Sequence, residues 1–584
     1  MKNLLGLVIL GCIVTSSVAL AKPSLIVVFP QTNYQTSAQK IFFLGTAPPD
    51  GEVLFNSKPI IRSKAGHFSP SFPLQLGENI FTVRHSNQEL QIKVTRLTTS
   101  PELPQGLAFA KDSLTPAVDI ARLPGELICF SAIAPPNASV SVNLANQTVT
   151  LSPQPQQAQL PSNLAALTGQ NQAHTQSSGG NYKGCTTVAT AADLGQPQFQ
   201  LTLNGKTITQ PGSGKIQILS PAQLPVSEVT VDSGVARTGA STDYSRLTPL
   251  PKGTRATVTG KEGEWLRLDY GAWINSKETR ILPGAVPPQT IIRSLGYRQL
   301  PTATEIIFPL QVAVPVSLQQ TEQAIALTLY NTTAQTDIIR LDDDPLISRL
   351  DWQQVAPGQV KYTLNLKKAQ QWGYKLRYDG TTLVLALRHP PKIGNTIRKP
   401  LANFKIVLDP GHGGKESGAS GPTGYLEKDV NLVISKLLRD ELVKLGATVV
   451  MTREDDKEVS LPERQAIISQ EEPAIALSIH HNSLPDNGDA EKTKGFGAFW
   501  YHPQAHNLAV FLQTYVVKKL AKPSYGVFWN NLALTRPEAA PSVLLELGFM
   551  SNPDEFEQVV NPEEQKKMAN AIAQGITEWF RSVK

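Results

Sequence analysis

Cysteine is scarce in this sequence. Its 584 residues contain three, Cys12, Cys129 and Cys185, which allow one disulfide bond at most. Cys12 lies in an N-terminal stretch that we expect to be removed, which leaves an even pair. If that stretch directs export, the protein reaches a compartment that permits disulfide bonds. We therefore predict that Cys129 and Cys185 are bridged. The alternative is two buried free thiols, since two cysteines of one β-domain can lie beyond bonding range.

The sequence also lacks an apolar run that is long enough to cross a membrane, which takes about 20 residues. The run Leu4 to Val14 is shorter, begins after a lysine and is followed by Ala19-Leu20-Ala21. This pattern predicts a secretory signal peptide over residues 1–21 and no transmembrane segment after cleavage. Leu10-Gly11-Cys12 faintly resembles a lipoprotein cleavage site. It falls inside the apolar run, so we rank lipidation at Cys12 below cleavage after Ala21.

A strong excess of one charge is missing as well. The net charge is +6, with 17% charged and 41% hydrophobic residues, values that are ordinary for folded, soluble material. The pI near 8.9 suits an anionic envelope polymer without identifying it, and we predict no nucleic-acid partner. At roughly 150 residues per domain, the length predicts about four folded units.

The N-terminal part alternates apolar and polar residues in short runs between prolines and glycines, which is typical of antiparallel β-sandwiches. Residues 42–56 align without gaps on residues 129–143, with six identical positions that include the Ala-Pro-Pro turn. We therefore predict two copies of an Ig-like unit, over 22–98 and 99–222. The second copy carries a Gln/Asn/Ser-rich insertion from about 153 to 180, which we predict to be a mobile loop.

Two further β-units are predicted before the last third of the chain. Residues 226–284 have short strands, corner glycines and the tryptophans Trp265 and Trp273, and they resemble a bacterial SH3 domain. The tryptophans either bind wall peptides through exposed rings or fill the barrel core. Residues 286–390 weakly resemble the AMIN module, a β-sandwich that targets wall amidases to peptidoglycan, and a structural spacer is the alternative. Residues 391–402 contain prolines and basic residues that are typical of a linker.

In residues 403–584 the apolar period changes from two to 3.6, so strands alternate with helices. This pattern predicts a three-layer α/β domain, and hence a multidomain chain of all-β modules followed by an α/β domain. His412, His480 and Glu546 each end or follow an apolar strand, and Glu427 begins a helix. Ligands of such sheets gather beyond the carboxyl ends of the strands.

These four side chains match the needs of a metal hydrolase. A catalytic zinc ion takes three protein ligands, for which two histidines and a carboxylate are a known set. A second carboxylate is then required to move the proton of the attacking water. Each residue alone also has a structural explanation, because most histidines are bystanders and a glutamate is favourable at a helix N-terminus.

Three motifs add a family resemblance. They are Val407-Leu408-Asp409-Pro410-Gly411-His412-Gly413-Gly414, Ser478-Ile479-His480-His481-Asn482 and Leu545-Glu546-Leu547-Gly548-Phe549-Met550-Ser551-Asn552. In this order they closely resemble the zinc-dependent amidase-3 type of N-acetylmuramoyl-L-alanine amidase, over about residues 404–579.

The resemblance implies that Zn²⁺ is held by His412, Glu427 and His480, with Glu546 as the catalytic carboxylate. It also implies Asn531 and Arg536 as substrate contacts. The family often has alanine in place of His481, so that histidine is an alternative ligand.

The resemblance also implies a function. We expect a peptidoglycan hydrolase of the periplasm or cell wall that cleaves the bond between N-acetylmuramic acid and L-alanine with zinc-activated water. Envelope or division proteins are candidate partners of the β-domains. The alternatives are a zinc peptidase acting within stem peptides and a non-catalytic wall-binding adaptor. Some relatives carry a helical insert that occludes the zinc; here only about residues 484–494 follow the histidine motif, so we predict an open site.

Overall fold

The computed structural model describes residues 24–98, 103–154, 156–160, 173–177, 180–392 and 399–583. The predicted signal peptide, with Cys12, lies outside these residues. Within the described part of the chain, none of the helices combines the length and the apolar character that a membrane crossing requires. The structure is rich in β-strands up to residue 388, and the α-helices of the described residues lie after residue 426. The predicted multidomain organisation, with a β-rich N-terminal region, is therefore confirmed at this level.

The first β-unit consists of a five-stranded, a three-stranded and a two-stranded sheet around a phenylalanine-rich core. Its strands are Ile26–Phe29, Tyr34–Thr36, Lys40–Phe42, Leu44–Thr46, Val53–Phe55, Lys58–Pro59, His67–Phe68, Ser71–Pro73, Gly77–His85 and Gln88–Arg96. Phe43 and Phe55 lie at its centre, with ring centroids 5.1 Å apart.

The second β-unit contains a six-stranded sheet in which Cys129 and Cys185 face each other on neighbouring antiparallel strands and form a disulfide bond. The strands are Ile120–Arg122, Leu127–Ile133, Ser139–Leu144, Gln147–Pro153, Gln156–Gln159, His174–Ser177, Asn181–Thr187, Ala192–Gly195, Gln198–Leu203, Lys206–Pro211 and Ile216–Ile218. The predicted mobile insertion contains an antiparallel pair, Gln156–Gln159 with His174–Ser177, and its mobility stays a prediction. Residues 161–172 lie outside the described part.

The third β-unit shares a sheet with the second, because Ile120–Arg122 pairs with the end of Arg255–Glu262. Its strands are Val226–Val229, Ser233–Gly234, Leu250–Pro251, Arg255–Glu262, Trp265–Leu268, Trp273–Asn275 and Thr279–Leu282; short 3₁₀ turns span Pro221–Gln223 and Ser276–Glu278. Trp265 and Trp273 are partly exposed and lie outside the hydrophobic core of this unit. An arginine guanidinium lies 5.9 Å from each ring centroid. Core filling by both tryptophans is therefore not the arrangement observed.

The fourth β-unit contains two four-stranded antiparallel sheets and a two-stranded parallel pair around one core. Its strands are Thr290–Ser294, Gly296–Gln299, Ala303–Phe308, Val316–Gln320, Ala324–Tyr330, Thr332–Ile338, Ile347–Ala356, Gln359–Leu366, Tyr374–Asp379 and Thr382–Arg388. The assignment of the four units to Ig-like, SH3-like and AMIN-like modules stays a prediction. The predicted linker falls partly on residues 393–398, which lie outside the described part.

The last unit is a six-stranded sheet with helices on both faces, and we call it the catalytic domain after the function that the sequence predicts for it. Its strands are β1 (Lys405–Pro410), β2 (Thr448–Met451), β3 (Ile475–Asn482), β4 (Phe496–Trp500), β5 (Ser524–Trp529) and β6 (Ser542–Phe549). Its helices are α1 (Glu427–Lys444), α2 (Leu461–Glu471), α3 (Pro503–Leu520), α4 (Pro553–Val559) and α5 (Pro562–Ser582), with a 3₁₀ turn at Ala533–Thr535. The strand order is β2-β1-β3-β6-β4-β5.

The direction of the strands positions the polar side chains. Strands β1, β2, β3 and β6 are mutually parallel, whereas β4 runs antiparallel to β6. The carboxyl ends of the four parallel strands therefore meet at one edge of the sheet. Helices α1, α3 and α5 share the main core with one face of this sheet, and α2 packs on the other face. Ser460 and Glu463 form a reciprocal capping box at the start of α2, which fixes where this helix begins.

The catalytic domain also packs against the fourth β-unit. Trp372, from the fourth unit, lies in the main core of the catalytic domain, with its ring centroid 5.6 Å from that of Trp579 and 6.0 Å from that of Phe580. The guanidinium of Arg388 donates to the carbonyl oxygens of Glu472, Pro473 and Ala539 at 2.6–2.8 Å. These contacts are made by residues that precede the predicted linker, and they join the fourth β-unit to the catalytic domain.

The first β-unit contacts the loop 484–494 between β3 and β4. The amide of Phe42 donates to the carbonyl of Asp486 at 3.1 Å, and the Tyr34 hydroxyl donates to the carboxylate of Asp486 at 3.1 Å. The Ser71 hydroxyl donates to the carbonyl of Gly488 at 3.2 Å. The distant N-terminal unit thus lies against a loop that follows the histidine motif.

Candidate metal centre

His412 is presented by a sharp turn after β1. The strand is buried along almost its whole length, and the backbone then turns because His412 has φ of 60° and Gly413 has φ of 134°, values that favour glycine over most residues. Gly411 is required for a different reason. A Cβ atom on Gly411 would lie 2.2 Å from Cε1 of His480, so a larger residue would displace that ring.

His480 comes from the end of β3 and Glu427 from the first residue of α1. The Glu427 carboxylate is buried, with 4% of the residue exposed, and it bridges the two imidazoles. Its Oε2 lies 3.2 Å from Nε2 of His412, and its Oε1 lies 3.0 Å from Nδ1 of His480. One donor atom from each of the three residues lies within 4.8 Å of the other two. The structure therefore brings together the three residues that the sequence motifs single out as zinc ligands.

Asn431 orients this cluster and was not singled out from the sequence. It lies one helical turn after Glu427, on the same face of α1, and its amide donates to Oε1 of Glu427 at 3.0 Å. The same side chain contacts Nδ1 of His481 at 2.8 Å. The four-residue spacing from Glu427 is the signal that could have identified it.

His481 is turned away from the cluster. Only 2% of it is exposed, and its ring is hydrogen-bonded to Asn431, while its backbone amide donates to Oε1 of Glu427 at 3.1 Å. Burial lowers the pKa of His481 to about 3. His481 therefore helps to hold Glu427 in position through Asn431 and through its own backbone amide. His480 is the histidine of this pair that faces the cluster.

Glu546 lies beside the cluster on β6. The parallel register places it directly across from His480 on β3. Its Oε2 is buried and has no hydrogen-bond partner among the described residues. Burial, together with the charge of Glu427, raises the pKa of Glu546 well above its usual value.

Glu427 shows the opposite behaviour. Burial alone would raise its pKa, but the hydrogen bonds and charges of His412 and His480 outweigh burial and lower it well below its usual value. Two neighbouring carboxyl groups are thus pushed towards different protonation states. In enzyme sites, two carboxyl groups whose pKa values are shifted in opposite directions commonly have different roles.

A buried ion pair supports the turn that carries His412. Asp409, with 1% exposure, accepts hydrogen bonds from Arg464, Thr452 and Ser478, each at 2.6 Å. Arg464 also donates to the carbonyl oxygen of His412 at 2.7 Å. The conformation of the turn that carries His412 is therefore fixed by contacts from α2, from β3 and from the residue that follows β2.

The donor set fits a zinc ion. Two imidazole nitrogens and one carboxylate, converging from three separate elements, are ligands that zinc takes in catalytic sites. The backbone around them is held by hydrogen bonds, and the hydrogen bond from Asn431 to Glu427 is the kind of outer contact that orients metal ligands. A nearby carboxyl group, Glu546, remains outside the cluster and is available for proton transfer.

Asn531 and Arg536 lie elsewhere. In the antiparallel pairing of β4 with β6, Gly497 faces Glu546 and Phe499 faces Leu544, so β4 ends near the beginning of β6. The backbone after β5 follows that end, since the ring of His502 contacts the carbonyl oxygen of Arg536 at 2.7 Å. Asn531 and Arg536 are therefore at the edge of the sheet opposite to His412, Glu427 and His480, and their role as substrate contacts stays a prediction.

Comparison with known proteins identifies relatives of the C-terminal part. Residues 406–578 match the family described as N-acetylmuramoyl-L-alanine amidase. A probable cell wall amidase from Staphylococcus aureus, LytH, is 37% identical over 185 residues, which are 31% of this chain and 60% of that protein. The chain thus spans less than two thirds of the length of this relative.

Solved structures give matches over the same segment. The N-acetylmuramoyl-L-alanine amidase AmiC2 of Nostoc punctiforme is 32% identical, with 30% of this chain and 97% of that chain covered and a TM-score of 0.29. An N-acetylmuramoyl-L-alanine amidase from Clostridium difficile 630 is 29% identical, with 32% and 100% covered and a TM-score of 0.30. Since both TM-scores are below 0.5, the family assignment rests on the sequence match.

Proposed function

Because residues 406–578 belong to the N-acetylmuramoyl-L-alanine amidase family, we propose that this chain is a peptidoglycan hydrolase that cleaves the amide bond between N-acetylmuramic acid and the L-alanine of the stem peptide. The family resemblance read from the sequence is confirmed for this segment. The proposal extends it to the activity of the whole chain. The sheet with helices on both faces would be its three-layer zinc hydrolase domain.

The observation that carries the proposal is the convergence of four side chains at one edge of the sheet. His412, Glu427 and His480 offer three donor atoms within 4.8 Å of one another, and Glu546 lies across from His480 in the strand register. These three residues would hold a zinc ion. When bound, zinc would lower the pKa of a water molecule and polarise the carbonyl group under attack.

The proton transfers fall to Glu546. It is the carboxyl group next to the cluster that is not bound to either histidine, so it can accept the proton of the attacking water and pass it to the leaving nitrogen. Burial and the negative charge of Glu427 favour its protonated form, which assists the second transfer. Asn431 would keep Glu427 oriented towards the two imidazoles.

We also propose that the chain is exported and that its β-units bind peptidoglycan. A signal peptide over residues 1–21 would bring the enzyme to the periplasm or cell wall, and peptidoglycan would be the partner of the β-units. The disulfide bond between Cys129 and Cys185 supports a location outside the reducing cytoplasm.

The test is the hydrolysis of purified peptidoglycan by the full chain and by its Glu546→Gln variant. We expect product release to fall by about 10²- to 10⁴-fold, the range of general acid–base catalysis, while the zinc content measured by mass spectrometry stays the same. Glu441→Gln, which removes a carboxylate from an exposed ion pair on α1, is the matched control and should leave turnover unchanged.

Mass spectrometry of the fragments separates the alternatives. Intact stem peptides that begin with L-alanine support the amidase. Shortened peptides would instead indicate a zinc peptidase, and zinc binding without any released fragment would indicate a wall-binding adaptor. Retained turnover in Glu546→Gln would contradict the role given to that residue.

A further inference from the structure

A second cleft lies where three units of the chain meet. It has a volume of about 870 Å³ and is lined by residues of the third β-unit, the fourth β-unit and the catalytic domain. Its lining includes Arg246, Tyr270, Gln320, Tyr501, Trp529 and Arg536. The catalytic domain contributes the ends of β4 and β5, so the cleft lies at the sheet edge opposite to Glu546. It is therefore separate from the metal centre.

Two arginines of this cleft, Arg246 and Arg536, are partly buried and form no ion pair with a carboxylate of the described residues. Arg536 donates to Oδ1 of Asn531 at 2.6 Å, and Arg246 experiences the charge of Glu278 from outside the lining of the cleft. Burial, and the positive charges of Arg246 and Arg237, lower the pKa of Arg536 to about 10. Partly buried like charges are costly unless an anion neutralises them. The one acidic residue of the lining, Glu538, has a raised pKa because of its burial.

Polar atoms without partners accompany these charges. The hydroxyl of Tyr270 and Oε1 of Gln320 are buried, line the cleft and have no hydrogen-bond partner among the described residues. A buried donor or acceptor without a partner is destabilising. Both atoms have almost no accessible surface, so the wall of the cleft holds unpaired polar groups close beneath its surface, beside the positive charges.

An aromatic platform completes the cleft. Trp529 is 61% exposed, and its ring centroid lies 5.3 Å from that of Tyr501. The indole nitrogen of Trp529 donates to the carbonyl oxygen of Tyr501 at 3.0 Å, which holds the platform in place. Exposed, fixed aromatic rings present an apolar face with a polar edge, a surface on which the apolar face of a sugar ring can pack.

We propose that this cleft binds a second segment of peptidoglycan, with a sugar ring of the glycan strand on Trp529 and a stem-peptide carboxylate paired with Arg246 and Arg536. This inference rests on the proposed function for the identity of the polymer. The cleft holds the polymer and takes no part in hydrolysis. Because it is shared by three units, it forms only when those units are packed together.

Binding is measured with Glu546→Gln protein, so that hydrolysis does not remove the ligand. The probe is purified peptidoglycan sacculi, and the amount of bound protein is determined by sedimentation as the protein concentration is varied. The variant Arg246→Gln removes one arginine that has no side-chain partner in the described residues, and Trp529→Ala removes the exposed ring. We expect each to weaken binding about tenfold, Arg246→Gln because it removes a charge-assisted hydrogen bond and Trp529→Ala because it removes the ring on which a sugar can pack.

The matched control is Arg340→Gln, which removes the same charge from a side chain that is 80% exposed and distant in the chain. It should bind like the parent protein. The proposal would be overturned if Arg246→Gln and Trp529→Ala bound sacculi as tightly as the parent protein. It would also be overturned if the Arg340→Gln control lost as much binding as those two variants. Unchanged thermal unfolding would show that the variants are folded, and Arg246→Lys keeps the charge if Arg246→Gln does not fold.

A second arm separates this inference from the proposed function. In the background with Glu546 intact, Arg246→Gln should reduce hydrolysis of sacculi but leave hydrolysis of a short soluble muramoyl peptide unchanged. Loss on both substrates would place Arg246 in the hydrolytic machinery and contradict a separate binding site. If neither substrate is cleaved by the parent protein, the proposed function fails, and the sacculus-binding measurement still decides about the cleft.

Discussion

Replacing Asp409 by asparagine should destabilise the catalytic domain strongly. The substitution keeps the shape of the side chain but removes the negative charge that faces Arg464 at 2.6 Å. Both side chains are at least 97% buried, so the guanidinium is left in the interior with no anion. Removing one partner of a buried ion pair costs about 3–5 kcal/mol. The turn that presents His412 should loosen as well, because Arg464 donates to its carbonyl oxygen.

Hydrogen exchange measured by mass spectrometry can follow this change in the full chain. Peptides that cover β1 and β3 report the opening of the catalytic domain separately from the β-units. A loss of about 3–5 kcal/mol corresponds to exchange that is about 10²- to 10⁴-fold faster for the most protected amides. The control is Asp440→Asn, which makes the same chemical change in an exposed ion pair with Arg439 and should cost less than about 1 kcal/mol.

The pH dependence provides an independent check. Burial would raise the pKa of Asp409, but the charge of Arg464 and the hydrogen bonds to the carboxylate outweigh it and lower the pKa. A lowered folded-state pKa means that the stabilisation is present above the unfolded value of about 3.9 and is lost as the pH falls through the folded value. The difference between parent and variant should therefore shrink below about pH 4. A variant as stable as Asp440→Asn at pH 7 would refute the reasoning.

Three further outcomes are expected. Trp372→Ala should destabilise the catalytic domain by about 3–5 kcal/mol, seen as faster exchange in α5, although the residue belongs to the fourth β-unit. Reducing the bond between Cys129 and Cys185, which are 56 positions apart, should destabilise the second β-unit by about 4 kcal/mol, measured by calorimetry with and without reductant. His481→Ala should retain zinc, because its ring contacts Asn431 instead of the cluster; loss of zinc with an intact fold would reassign it as a ligand.

The chemistry of the site could be predicted from the sequence because it follows from strand ends. His412, His480 and Glu546 each sit at the end of an apolar run, and parallel strands bring such ends to one edge of the sheet. Glu427 could be included because it opens a helix. The sequence did not show that Asn531 and Arg536 lie at the opposite edge of the sheet, because the apolar pattern does not reveal that β4 runs antiparallel to β6.

The contacts between units were beyond prediction from the sequence. The apolar period identifies which residues are buried, but it does not tell which unit supplies the surface that buries them. Trp372 appears as an ordinary residue of the fourth β-unit, yet it lies in the core of the catalytic domain. The sheet shared by the second and third units arises in the same way, because pairing between distant strands depends on exposed edges and not on local pattern.

The contacts of Trp372 and Arg388 with the catalytic domain attach the fourth β-unit directly to that domain. Movement of one unit against the other would first have to withdraw an indole from a hydrophobic core and break several hydrogen bonds to carbonyl groups. The fourth β-unit and the catalytic domain should therefore move as one body, so that the orientation of the His412, Glu427 and His480 cluster is fixed relative to the fourth β-unit. Construction of a shorter active fragment would accordingly have to begin before Trp372.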